Sequence, residues 1–265
     1  MSGLTYRDYL RIDSLLSIQD TRTPETADTA VILAEHFFIV AHQASELWLK
    51  QIIADLSAAA ESLAPKKPGD DGELDAGEPE LGVEYLSRAN DVLLVLHEQL
   101  ITLEKLPLRL FAEFRPYLDT ASGAESAQFK VLSNLLGDDE RPGELYEAFC
   151  AATAAAGTSV AEVCRDGVRS GVHHRVAELL LDIGNAYWRW KVAHLGLMSR
   201  SLGQQLGTAG STGAMYLAGR LTMPFGELRK LRGEVHAQFA ADHSERSAAD
   251  HTARPTAGHS EQTAA

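Results

Sequence analysis

Cysteine is nearly missing from this chain: Cys150 and Cys164 are the two in 265 residues. Two thiols cannot build a disulfide framework or a four-ligand zinc site. Long apolar runs are missing too, and nothing approaches the roughly 20 residues of a bilayer-spanning helix. No charged and apolar leader precedes the first element, so the expected location is cytoplasmic. Positive charge is short, with 24 Lys and Arg against 37 Asp and Glu and a net charge of −13. A nucleic acid or an anionic membrane surface is thereby excluded as a general partner. Alternating strand patterns bounded by turns do not occur. Nucleophile elbows, dinucleotide fingerprints, P-loops and HExxH helices are also absent.

What remains is helical. At this length one large domain or two small ones fit, and 45% hydrophobic with 23% charged residues is the balance of a globular protein. Leu4 to Gln19 carries apolar residues near helical spacing, and Asp28 or Thr29 is placed to cap a long helix to about Ala64. Residues 65–80 are rich in Pro, Gly and acid and read as a surface loop. Leu81 to Leu106, a short segment around Phe111, Ala124 to Gly137, and Leu145 to about Ala155 read as further helices. Residues 176–203 form a second long helix, followed by the Gly-rich GTAGSTG. The fold class is all-α, with a single domain over 1–240 and a disordered tail over 241–265, where no apolar period survives.

Two histidines stand inside the long helices. His42 lies in FFIVAHQASELWLK, and Phe38 shares its face at i−4. A His in so apolar a run loses hydration and needs a partner. His194 follows Tyr187 and Trp190 on one face, with Leu197 and Met198 beyond it. Either is read by default as a core histidine bonded to a neighbour. Taken together with Arg115 before a Ser-Gly turn, they allow a helical haem pocket with an axial His and an Arg fork for a carboxylate. The adjacent His173 and His174 point to different sides of a helix and do not make a metal site.

Four stretches, in order, resemble one family. LTYRDYLRIDSLL, FFIVAHQASELWLK, FRPYLDTASG, and WKVAHLGLMSRSLG with GTAGSTG are similar to the motifs of the tryptophan 2,3-dioxygenases, within the wider group of histidine-ligated haem-dependent aromatic oxygenases. The resemblance implies a helical bundle with a buried haem b (iron protoporphyrin IX), dioxygen as co-substrate, and L-tryptophan or a close analogue opened to N-formylkynurenine. By position it makes His194 the iron ligand and His42 the distal group that accepts the indole N–H. Arg115 binds the substrate carboxylate, Thr208 the ammonium and carboxylate, and Phe38 and Leu118 wall the indole. Ser122, Gly123 and Trp190 lie against the haem. Tyr6, Tyr9 and Leu10 complete the pocket of a neighbouring copy in a homotetramer.

Departures from the family pattern occur as well. Ala124-Glu125 stand where Phe-Gln is usual, Phe111 replaces a Tyr, and Ala193 replaces an Arg. Two alternatives stay open at this point. One is insertion of a single oxygen into a substituted tryptophan such as β-methyltryptophan, giving a 2-oxindole. The other is a haem-binding module without catalysis.

Overall fold

A computed structural model describes residues 3–65, 77–203, 205 and 214–253, with the side chains of 216 and 248–253 left aside. Among the described residues every regular element is helical, apart from one isolated bridge between Gly137 and Pro142. The order is α1 (Tyr6–Tyr9), α2 (Ile12–Leu15), α3 (Thr29–Leu63), α4 (Pro79–Thr102), α5 (Leu108–Phe114), α6 (Ala127–Leu136), α7 (Glu144–Ala155), α8 (Val160–Asp166), α9 (Val172–Leu202), α10 (Ala214–Ala218) and α11 (Gly226–Ala253).

Three long helices form the frame, with α4 packed between α3 and α9. Leu86, Ala89, Leu93, Leu96 and Leu100 repeat at steps of three and four and bury one stripe of α4. They meet Leu49, Ile52, Leu56 and Leu63 of α3 and Val176, Leu180 and Ile183 of α9 in one continuous core. Each such leucine contributes roughly 1.5–3 kcal/mol by leaving water. Pro79 opens α4, where a missing N–H costs nothing. Asp28 opens α3 by accepting the Ala30 N–H at 2.8 Å.

Polar links fix the helices where the core alone would let them slide. The Arg88 guanidinium of α4 donates to both oxygens of the buried Asp55 on α3, at 3.0 and 2.5 Å. Burial pushes the Asp55 carboxyl up, but the bonds from Arg88 and Gln51 outweigh it and hold the group below its usual value. Residues 18–23 are strapped along α3. Glu35, buried, accepts the Arg22 and Thr23 N–H groups at 2.8 Å each, and Gln43 donates to the Ile18 carbonyl at 2.8 Å.

Local geometry departs from the sequence reading at the N-terminal segment and in α11, and shows how the turn after Leu136 is closed. The N-terminal segment is two single turns, not one helix, because Arg11 takes a left-handed conformation (φ 52) and no core lies beneath it to enforce continuity. The turn after Leu136 closes tightly on glycine: Gly137 has φ 67, and a Cβ there would stand 2.3 Å from the Gly143 nitrogen. Finally, α11 continues to Ala253, so the tail expected from 241 is helical over its first half. Ala, Glu and Arg carry that helix on intrinsic propensity, without an apolar face to announce it. The tail beyond 253 lies outside the described residues.

Candidate active site

The site is built from the facing sides of α3 and α9, and each side arranges its histidine differently. On α9, Tyr187, Trp190 and His194 fall at i, i+3 and i+7 and stack along one face. The Trp190 ring lies 5.2 Å from His194 at 17° and 6.2 Å from Tyr187 at 6°. Phe129 of α6 closes its other side at 4.9 Å. This wall is dry, and Trp190 keeps 8% of its surface exposed. Burial, with the nearby His42 adding to it, pushes the His194 imidazole down to about 4, so the ring is neutral across ordinary pH. Among the described residues its nitrogens make no hydrogen bond.

On α3, the His42 ring lies against Phe38, centroids 4.0 Å apart and tilted by 37°. His42 Nδ1 lies 2.7 Å from the Phe38 carbonyl oxygen. A carbonyl only accepts, so Nδ1 carries the hydrogen and Nε2 presents a lone pair. Burial lowers the His42 pKa against the raising effects of that bond and of Glu46, leaving the ring neutral. Protein atoms crowd this ring while solvent still reaches it. Phe38 in turn lies 6.1 Å from Phe111 and 5.5 Å from the buried Phe114, and Leu118 packs on the same small cluster. Arg115 opens the short turn that ends at Leu118, and both Phe114 before it and Leu118 belong to the cluster that includes Phe38.

The two imidazoles are both held in the neutral form, and each is near enough to the other for His42 to add to the lowering at His194. No group of three or more His, Cys, Asp or Glu side chains able to hold a bare ion occurs among the described residues. A single free imidazole lone pair against an aromatic wall suits an ion that brings four equatorial ligands of its own, within a flat apolar ring. The donor set of this chain fits haem.

A family profile described as "Tryptophan 2,3-dioxygenase" matches residues 1–148 and 141–232. The chain belongs to the tryptophan 2,3-dioxygenase family. It is 31% identical over 273 residues to the tryptophan 2,3-dioxygenase of Anaeromyxobacter sp. strain K, covering 88% of this chain and 96% of that protein. Against the Nocardioides enzyme of the same name it is 30% identical over 254 residues, 84% and 91% of the two chains. The frog Xenopus tropicalis protein is 36% identical over 138 residues, 52% of this chain and 32% of its own.

With the family established, the remaining residues of the expected site divide into three groups. Ser122 and Gly123 open a short turn. The Ser122 oxygen accepts the Ala124 N–H at 3.3 Å while Glu125 accepts the Ser122 N–H at 3.1 Å. Glu125, where the family usually has Gln, is therefore used as the return arm of a capping box. A Cβ on Gly123 would meet nothing within 4 Å. Tyr6, Tyr9 and Leu10 point outward, at 76%, 70% and 42% exposed, and the structure does not bring them to His42 or His194 of their own chain. Thr208, with GTAGSTG, lies outside the described residues.

Two glutamines that sequence reasoning had no cause to single out hold α3 on either side of His42. Gln99 of α4 donates to the Ala41 carbonyl at 2.5 Å and to Ser45 Oγ at 3.0 Å. Gln128 of α6 donates to the Glu46 carbonyl at 2.8 Å and to its carboxylate at 2.6 Å. Their only signal was a Gln within an otherwise helical run, which is common on any solvated face. Among the described residues no helix is long and apolar enough to cross a membrane.

Proposed function

We propose that this protein is a haem-dependent oxygenase that adds both atoms of dioxygen across the indole C2=C3 bond of L-tryptophan, giving N-formylkynurenine. The observation that carries this reading is the pairing, within one family scaffold, of an unbonded neutral His194 with a His42 whose acceptor nitrogen is fixed. Haem b, held through His194, supplies the binding and activation of dioxygen.

The chain's own residues do the rest. His42 Nε2 accepts the indole N–H, which its Phe38-locked tautomer permits and a protonated ring would not. Phe38, Phe111 and Leu118 face the apolar ring and exclude water from it. Arg115 grips the substrate carboxylate in a forked pair, and Thr208 meets the ammonium and carboxylate. Ser122, Gly123 and Trp190 line the cofactor, the glycine leaving room for a flat group to approach. Holding the zwitterion at one end and the indole N–H at the other orients C2 and C3 toward the oxygen, which is the main service of such a site.

Tyr6, Tyr9 and Leu10 belong in this reading to the pocket of a second copy, and the assembly is a homotetramer. Their exposure in one chain supports that role, since large apolar side chains in an unpacked turn gain by being covered. The protein works in the cytoplasm, where Cys150 and Cys164 stay as the free thiols they are here.

The test is the mass of the product formed by reduced, haem-loaded protein with tryptophan under isotopically heavy dioxygen. Two heavy oxygen atoms in a ring-opened product are expected. A product with one oxygen, or none from any tryptophan, overturns the reading.

A further inference from the structure

Along the face of α9 that carries His194, polarity changes from one end to the other. Toward the N-terminus, Trp190 and Tyr187 stack beside it and are buried. Toward the C-terminus, Ser201 repeats the position of His194 two turns on, about 10 Å along the axis. There Arg200 and Ser201 line a hollow of about 290 Å³ whose other walls include Glu104, Lys105, Leu106 and Phe111. Phe111 ties this hollow to the active site, because its ring lies 6.1 Å from Phe38. The face therefore has an aromatic, buried end and, beyond Ser201, an open end bordered by the Arg200 and Lys105 side of the hollow.

Haem b is polarised in the same sense, with apolar substituents around most of its rim and two carboxylates on one edge. We propose that Arg200, aided by Lys105, binds the carboxylate edge of the macrocycle, so that the polarity of α9 decides which way round the cofactor lies. This rests on His194 being the axial ligand and adds the residues that set orientation. Arg200 suits that role, since a planar fork meets a carboxylate with two parallel bonds. Its present neighbour is Glu104, with oxygen and nitrogen 3.9 Å apart and the Arg200 side chain 69% exposed. That loose ion pair is easily exchanged for a tighter one. Glu104 is a competitor for Arg200, and removing it strengthens the grip on the cofactor.

The experiment titrates the haem-free full-length protein with haem and with its dimethyl ester, following the Soret band. The wild-type protein binds the free acid more tightly than the ester, by about tenfold. Arg200→Leu removes most of that preference, Arg200→Lys keeps part of it, and Glu104→Gln widens it. Equal affinity of the wild type for both porphyrins, each with an axial-imidazole spectrum, overturns the orientation proposal and leaves haem binding intact. A full preference retained in Arg200→Leu overturns it as well. Binding of neither porphyrin removes the haem reading and this inference together.

Discussion

The α9 and α3 sides of the site use the same side chain to opposite ends. His194 is half-buried against the Trp190 ring and bonded to nothing among the described residues, while His42 is more exposed and tied to a backbone carbonyl. Burial depresses both, to about 4 for His194, so neither carries charge at neutral pH. The difference lies in which lone pair is left over. In the proposed reading, the free lone pair of His194 serves as the ligand of a metal. His42, with Nδ1–H committed to Phe38, keeps Nε2 as an acceptor, which the proposed reading gives to the substrate. Surroundings, not residue type, divide the two roles.

That contrast can be broken at several points, and the largest effect is expected on the α9 side. Trp190→Ala removes a nearly buried indole stacked between Phe129 and His194, and costs roughly 3–5 kcal/mol of stability. Phe38→Ala, on the half-buried α3 wall, costs less. Urea unfolding of both variants measures the gap, and equal losses would erase the distinction between a dry wall and a wet one. Arg115→Ala leaves haem binding untouched and weakens tryptophan binding by roughly 2–5 kcal/mol, the cost of breaking a desolvated carboxylate pair. A spectral titration with tryptophan gives that number.

Away from the site, Arg88→Met strips the buried Asp55 of its charge-assisted bonds and costs roughly 1.5–3 kcal/mol near neutral pH. Because Asp55 is held below its ordinary 3.8 in the folded state, its contribution is complete above that value and fades as acid protonates the folded carboxylate. Wild type and variant should therefore converge in stability as the pH falls from above 3.8 to well below it. A gap that stays constant over that range would show that the pair does not titrate as described. The smallest effect is on the α3 side. His42→Ala keeps the haem and loses one hydrogen bond to substrate, worth roughly 0.5–1.5 kcal/mol in the ratio kcat/KM.

Much of this was legible in the residues, for physical reasons that also mark the limit. The stripe Leu86, Ala89, Leu93, Leu96 and Leu100 announces α4 because a helix must bury one face. His42 and His194 stand out because a polar ring in an apolar run demands explanation, and the order of four motifs supplied one. Gln99 and Gln128 did not stand out, since a glutamine that braces a neighbouring helix looks the same in sequence as one in water. The left-handed Arg11 and the helix beyond residue 241 were missed together: neither has a core contact to leave a periodic trace. Tyr6, Tyr9 and Leu10 point outward, and their proposed place in the pocket of a second copy is not something one chain can display.

The most direct measurement is the haem titration of His194→Ala beside His42→Ala, read by absorption and electron paramagnetic resonance, with free imidazole then added to each. The account predicts that His194→Ala loses stable haem and its axial-nitrogen signature and regains them from imidazole, while His42→Ala matches the wild type. An unchanged axial-nitrogen spectrum in His194→Ala, with the loss appearing in His42→Ala, would contradict it.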